Sequence, residues 1–136
     1  MQNPTLNTLL NRKSIRKYRQ GPVPRELINK IVEAGQRAPT ACGMQAYSFI
    51  LITDNKLREE ICKIIGKQGC MEEAPVWMIV CADMARQLKL FEVLGIKTEL
   101  GPLGKFVPSM VDAALVAEKR ALLSKRKTGL SVMLLP

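Results

Sequence analysis

The sequence predicts a layered fold in which helices pack on a small β-sheet, in the α+β or α/β class. The first observation is that segments with helical periodicity alternate with two or three β-rich apolar runs. The second is the composition, 47% hydrophobic and 24% charged, which is typical of globular domains. The third is the length of 136 residues, which indicates one domain over residues 1–136.

The first half of the chain is predicted to hold three helices and one strand. Residues 4–11 form the first helix, because three leucines share one side of it. The second helix spans residues 24–38, with a proline in its first turn and apolar residues at helical spacing. Residues 47–53 are rich in β-branched and aromatic side chains and form a strand. Asp54 is placed to cap the third helix, residues 56–66, which ends at a glycine.

The second half is predicted to hold two strands and two helices. Residues 76–83 form a continuous apolar run, which is typical of a strand buried on both faces. A helix follows over residues 85–95, and residues 101–108 are expected to be irregular because they contain two glycines and two prolines. Good helix formers fill residues 109–127, and residues 129–136 form a final strand.

The composition excludes several kinds of site. The chain has no histidine, so His-dependent triads and the usual zinc ligands are absent. Its four cysteines form no C-x-x-C pair, and Cys62 and Cys81 lie in apolar runs, so we expect neither a metal site nor a disulfide. No run of apolar residues is long enough to span a membrane, and the first residues lack a secretory pattern. We therefore expect a cytoplasmic protein with reduced thiols.

Positive charge is concentrated at the two ends of the chain. The net charge is +9, with +6 in residues 1–37, −1 in residues 38–116 and +4 in residues 117–136. Such an excess indicates nucleic acid, an acidic membrane surface or a phosphate-bearing ligand, or else a solvated surface. Only Tyr18 lies among the basic residues, so nucleic acid is not expected, although a small basic polyanion-binding module is kept as an alternative.

A basic segment at residues 12–16 is the sharpest candidate for phosphate binding. Arginine forks match phosphate oxygens, and a serine hydroxyl adds a short neutral donor. The candidate donors are Arg12, Lys13, Ser14 and Arg16. A solvated turn is the alternative interpretation of the same residues.

Two loops offer further polar groups to a ligand. The loop over residues 38–45 contains small residues and the amide of Gln45, which suits the edge of a heterocyclic ring. It is equally a plain connection, with Met44 filling the core. Gln68 lies in a second, glycine-flanked loop. Cys42 is not expected to act as a nucleophile, because the chain has no histidine to activate it.

Taken in order, these segments resemble the nitroreductase family of FMN-dependent oxidoreductases. The resemblance covers residues 12–54, continues in the apolar strand over residues 72–83, and includes the start of a helix over residues 110–118. The loop over residues 64–69 is most similar to the NADPH-dependent nitroreductase and flavin reductase branch. The resemblance implies an α+β, nitroreductase-like fold with a central mixed sheet flanked by helices.

The resemblance also implies a function. Family members bind FMN at a homodimer interface, take hydride from NAD(P)H, and reduce nitroaromatics, quinones or flavins in a ping-pong cycle. The flavin carries the chemistry, so no catalytic side chain is required. The cofactor-binding residues implied in this chain are Arg12, Lys13, Ser14 and Arg16 for the phosphate and ribityl end, and Thr40, Gln45 and Gln68 for the ribityl chain and ring system.

Several residues depart from the family's pattern. Gly43 stands where members commonly have asparagine, and Ala46 stands where a proline is frequent. Residues 119–127 carry a charge cluster where the family's central helix is apolar, so we expect the helix to be disrupted or shortened there. The chain also ends where members continue, and this C-terminal shortening is expected to compromise FMN binding and activity. A non-catalytic remnant is therefore a further alternative.

Overall fold

The computed structural model describes residues 3–11, 17–18, 20–66, 73–124 and 130–135, with side chains described up to residue 119. The elements in chain order are α1 (Pro4–Leu10), α2 (Arg25–Gln36), a short 3-10 turn (Ala41–Gly43), β1 (Tyr47–Ile52), α3 (Asn55–Ile65), β2 (Val76–Ala82), α4 (Ala85–Val93), α5 (Pro102–Ser124) and β3 (Leu130–Leu135). The three strands form one sheet in the order β1-β2-β3.

The sheet is mixed, as the resemblance implied. Strand β1 pairs antiparallel with β2, with Tyr47 opposite Ala82. Strand β3 pairs parallel with β2, with Val76 opposite Leu130. Because β2 lies between two strands and under helices on both faces, its first five residues are buried, which explains its continuous apolar sequence. The predicted α+β class is confirmed.

Helices cover both faces of the sheet. On one face α2 packs Ile28 and Ile31 against Met78, while α5 packs Ala113 and Val116 beside this cluster. The opposite face carries α3, and the core residues there are Ile52, Cys62, Ala74, Trp77 and Ile79. Side chains alternate between the two faces along β2, as the two-residue period of a strand requires. Helix α5 therefore lies against the sheet next to α2.

The predicted helix ends are confirmed at α3. The side chain of Asp54 accepts a hydrogen bond from the backbone N–H of Lys56 at 2.8 Å, which caps the first turn. Gly66 follows the last turn with a φ of 76°, a left-handed value that glycine adopts without steric cost. Among the described residues, no helix has the combination of length and apolar character that crossing a membrane would require.

Helix α5 begins earlier than predicted. Residues 101–108 were expected to be irregular, but the helix begins at Pro102 and has Pro108 inside it. Proline is tolerated in the first turn, where its missing N–H has no helical partner. Around the internal proline, the Ser109 hydroxyl donates hydrogen bonds to the carbonyls of Lys105 and Phe106, each at 2.9 Å. These bonds satisfy the buried hydroxyl of Ser109 within its own helix.

Helix α5 also continues into the charge cluster, as far as Ser124. The helix was expected to be disrupted or shortened over residues 119–127. It is regular as far as Ser124, and residues 125–127 lie outside the described residues. The ammonium group of Lys119 donates a hydrogen bond to the carbonyl of Arg37, the residue that ends α2. A cation at the C-terminal end of a helix is favoured by the helix dipole. This lysine thus joins α5 to α2 instead of interrupting the packing.

Candidate functional site

The loop between α2 and β1 has an unusual backbone. Three of its residues have positive φ values, namely Cys42 at 51°, Gly43 at 67° and Gln45 at 52°. For residues other than glycine this left-handed region costs on the order of 1–2 kcal/mol. Two such residues in one loop require surroundings that hold the backbone in place. We call residues 40–46 the left-handed loop.

The carboxylate of Asp112, on α5, holds both ends of this loop. Its Oδ1 accepts the backbone N–H of Ala41 at 2.7 Å, and its Oδ2 accepts the backbone N–H of Ala46 at 3.0 Å. The side chain is 0% exposed, so these bonds form away from water. Hydrogen bonds to an ionised acceptor are stronger than neutral ones, and burial increases their electrostatic strength.

Helix α4 holds the carbonyl groups of the same loop. The side-chain amide of Gln87 donates to the carbonyls of Met44 at 2.5 Å and Gln45 at 3.1 Å. The guanidinium of Arg86 also donates to the carbonyl of Gln45, at 2.9 Å. Gln87 is only 7% exposed, and its Oε1 has no hydrogen-bond partner within the described stretches. The N–H groups of the loop are therefore held by α5, and the carbonyl groups of the loop are held by α4.

The Tyr47 phenol, next to the loop, and the Cys81 thiol are protonated and neutral at pH 7. Burial raises the pKa of the Tyr47 phenol; the Arg86 guanidinium opposes this rise and the Asp112 carboxylate adds to it. Burial also raises the pKa of the Cys81 thiol, and the negative charge of Asp83 adds to that rise. Neither group is poised as a nucleophile. The arrangement suits binding and orientation more than acid–base chemistry.

The predicted site residues divide into two groups. Thr40 and Gln45 lie on the left-handed loop, where Thr40 is half-buried and Gln45 is exposed. The other predicted contacts, Arg12, Lys13, Ser14, Arg16 and Gln68, lie outside the described residues. Within the part of the chain that is described, no group of cysteine and carboxylate side chains is arranged to hold a metal ion.

The sequence does not single out Asp112 and Gln87, the two residues that shape the loop. Asp112 lies 71 residues from Ala41 along the chain, and Gln87 lies 43 residues from Met44. The sequence offers one weak signal for Asp112, which is that an acidic residue lies among the core-facing residues Ala113 and Val116 of α5. A buried carboxylate on such a face requires partners, and backbone N–H groups are the commonest ones.

Comparison with known proteins gives consistent matches. Residues 9–95 match the sequence profile described as "Nitroreductase family". The chain is 33% identical over 122 residues to an FMN reductase (NADPH) of Bacillus subtilis, covering 88% of this chain and 49% of that protein. It is 30% identical over 129 residues to an NADPH-flavin oxidoreductase of Vibrio harveyi, covering 94% of this chain and 51% of that protein.

The structural comparison agrees with the sequence matches. A nitroreductase structure from Bacillus subtilis superposes with a TM-score of 0.81 and 31% identity, covering 88% of this chain and 49% of that one. The chain thus spans about half the length of the relatives it matches. A superposition of this quality over 88% of the chain confirms the nitroreductase-like architecture. The chain belongs to the nitroreductase family.

Proposed function

We propose that this chain is a flavin-dependent NAD(P)H oxidoreductase that holds FMN against the left-handed loop. The observation that carries the proposal is the loop itself: its backbone is fixed from two sides, and Gln45 is exposed on it. The relatives named as an FMN reductase and an NADPH-flavin oxidoreductase support the choice of cofactor and donor. The proposal places the site within one domain formed by residues 1–136.

The loop fits a flat cofactor such as a flavin. A Cβ built on Gly43 would meet no heavy atom within 4 Å, so open space lies in front of the loop. The exposed amide of Gln45 both donates and accepts hydrogen bonds, as the edge of a flavin ring requires. In this proposal Thr40 lies along the ribityl chain, and Gln68 contacts the flavin from the second loop.

The basic segment would hold the phosphate. The guanidinium groups of Arg12 and Arg16, the ammonium group of Lys13 and the hydroxyl of Ser14 match the donors that phosphate oxygens prefer. When bound, FMN supplies the chemistry of taking hydride from NAD(P)H and passing electrons to a small acceptor, such as a flavin, a quinone or a nitroaromatic. The side chains bind and orient, so a chain without histidine is able to support this chemistry. Donor and acceptor would use the site in turn, in a ping-pong order.

A homodimer completes the proposal. Helix α5 exposes apolar side chains at four-residue spacing, and this apolar stripe consists of Leu103, Val107, Val111 and Leu115, which are 42–72% exposed. Contiguous exposed apolar surface marks an interaction site. The stripe side chains are exposed whereas Asp112 is fully buried, so a second copy would cover the stripe without breaking the hydrogen bonds that Asp112 makes to the loop. We place the dimer in the cytoplasm, a reducing setting supported by the thiols of Cys42 and Cys81, which form no disulfide among the described residues.

Flavin binding to the purified chain tests the proposal. FMN and riboflavin would each be titrated, with flavin fluorescence as the readout, and NADPH oxidation would then be followed with each class of acceptor. Arg16→Ala is expected to weaken the binding of FMN and to leave the binding of riboflavin unchanged, because riboflavin lacks the phosphate. Arg37→Ala, which removes a largely exposed guanidinium just after the end of α2, is the matched control. A chain that binds neither flavin but binds polynucleotides in a salt-sensitive way would overturn the proposal in favour of a polyanion-binding module.

A further inference from the structure

We propose that Asp112 is a positioning residue for flavin binding, because its carboxylate fixes the backbone from which the Gln45 side chain projects. The inference rests on the proposed function and adds to it a residue that never touches the ligand. Asp112 is fully buried on α5, and its two oxygens are occupied by the N–H groups of Ala41 and Ala46.

Both peptide planes that flank Gln45 are held by hydrogen bonds. The plane before it contains the carbonyl of Met44, which accepts from the Gln87 amide. The plane after it contains the carbonyl of Gln45 and the N–H of Ala46. That carbonyl is held by α4 at 3.1 Å through Gln87, and that N–H is held by Asp112 at 3.0 Å.

Holding both planes fixes the two backbone dihedrals of Gln45. Its φ of 52° lies in the left-handed region, which residues other than glycine, asparagine and aspartate rarely adopt. If the loop were released, Gln45 would therefore relax to a negative φ. Rotation of either plane would turn the Cα–Cβ bond of Gln45 away from its present direction. Asp112 is the group that opposes rotation of the second plane from its N–H side, and it also anchors the start of the loop at Ala41.

The substitution Asp112→Asn separates these effects. Asparagine is nearly the same size but has one acceptor oxygen, so its NH₂ group would face one of the two backbone N–H donors. One end of the loop would be released, and we expect the Kd for FMN to rise about tenfold. The Kd for riboflavin should rise by the same factor, because the loop is proposed to contact the ribityl chain and the ring system and not the phosphate. Amide hydrogen exchange at Ala41 and Ala46 should become faster in the flavin-free protein.

Two further variants keep the test decisive. Ser109→Ala removes another buried polar group of α5, one that bonds only to carbonyls of its own helix, and should leave the FMN Kd unchanged. Gln87→Met removes the donor to the Met44 carbonyl and leaves the Gln45 carbonyl to Arg86. It should also weaken FMN binding, which tests the role of the held loop even if Asp112→Asn does not fold.

The outcomes distinguish the two proposals. Wild-type protein that binds FMN, together with an Asp112→Asn variant of unchanged affinity, would overturn the positioning role and leave the proposed function standing. An equal loss in Ser109→Ala would also overturn it, because the effect would then reflect general packing of α5. Wild-type protein that binds no flavin would overturn the proposed function and this inference with it. Faster exchange at Ala41 and Ala46 with a parallel loss of both flavins would support the inference.

Discussion

The hydroxyl of Ser48 donates a hydrogen bond to the carboxylate of Asp83, which joins the start of β1 to the residue that follows β2. The other carboxylate oxygen accepts the backbone N–H of Ala85 at 2.8 Å, at the first residue of α4. The backbone N–H of Asp83 also donates to the carbonyl of Ala46 at 3.0 Å. One aspartate therefore sets where α4 begins, and α4 carries Gln87 to the left-handed loop.

The Ser48–Asp83 pair predicts a pH-dependent contribution to stability. The Ser48 hydroxyl is the main cause of the lowered pKa of Asp83, and the N–H of Ala85 adds to it. Ser48→Ala should raise this pKa toward its ordinary value and cost about 1 kcal/mol at pH 7. Because the folded-state pKa lies below the unfolded one, the stabilisation is present above about pH 4 and is lost as the pH falls through the folded pKa.

Urea unfolding at pH 7 and at pH 3 measures this effect. The difference in free energy of unfolding between wild type and Ser48→Ala should be present at the higher pH and smaller at the lower one. Ser109→Ala is the control, since its hydroxyl bonds only to carbonyls and its loss should cost the same at both values. A Ser48→Ala difference that persists unchanged at pH 3 would contradict the assignment.

At Gly43 the larger of two substitutions is predicted to be the less destabilising. Its φ is +67° and its missing Cβ faces open space, so the backbone conformation alone decides the cost. Gly43→Ala should lower stability by about 1 kcal/mol, whereas the larger Gly43→Asn should cost less, because asparagine tolerates the left-handed region.

Thermal unfolding of both Gly43 variants checks this order. Gly101→Ala is the matched control, because that glycine has no left-handed φ and its Cβ also meets nothing within 4 Å. The control should be neutral or slightly stabilising, since alanine lowers the entropy of the unfolded chain. The interpretation fails if Gly43→Asn proves more costly than Gly43→Ala.

The nearly isosteric substitution Gln87→Glu is predicted to lower the stability of the protein strongly. Gln87→Glu would place a carboxylate where an amide now donates to the carbonyls of Met44 and Gln45. We expect a loss of about 3 kcal/mol at pH 7, because the site is buried and offers acceptors, not donors. The pKa of the introduced carboxyl would be raised above its unfolded value near 4, so the variant should regain stability as the pH falls through the raised pKa.

Denaturant unfolding of Gln87→Glu between pH 5 and pH 8 tests this expectation. Gln36→Glu makes the same chemical change at an exposed position near the end of α2 and should cost well under 1 kcal/mol. A penalty that is equally small at both positions would show that the Gln87 amide does not hold the loop.

Much of the fold is predictable from local patterns, because burial in a layered domain leaves a clear periodicity. Strand β2 is apolar throughout because both its faces are covered. Helix α3 begins directly after Asp54 because the side chain of Asp54 caps the first turn of the helix. The start of α5 is not predictable in this way. Proline and glycine ordinarily indicate irregular structure, yet Pro102 lies in a first turn and Pro108 is accommodated inside the helix.

The candidate site is less predictable than the fold because its shape depends on contacts distant in sequence. The small residues and the amide of Gln45 mark the loop as a place where a ligand could approach. Its left-handed backbone depends on Asp112 and Gln87, which belong to helices formed far along the chain. Neither residue carries a local motif, so only the packed structure brings them to the loop.

The apolar stripe on α5 predicts how the chain self-associates. Val107 is half exposed in the middle of the stripe, and a charge placed there would be buried without a partner if a second copy packed against it. Val107→Glu should therefore raise the dimer dissociation constant about a hundredfold, or more than 2 kcal/mol. Ile64→Glu, at an 83% exposed position of α3 on the other side of the sheet, is the control and should leave association unchanged.

Sedimentation equilibrium of the wild type and both variants measures this difference, and circular dichroism would verify that each remains folded. A wild type that is monomeric at all concentrations would argue against the stripe as a subunit interface. An equal response of Val107→Glu and Ile64→Glu would indicate general repulsion between charged copies, and higher salt would then restore association in both. Loss of the dimer in Val107→Glu alone, unaffected by salt, is the result that a desolvated apolar contact requires, because screening acts on exposed charges and not on a charge buried in an interface.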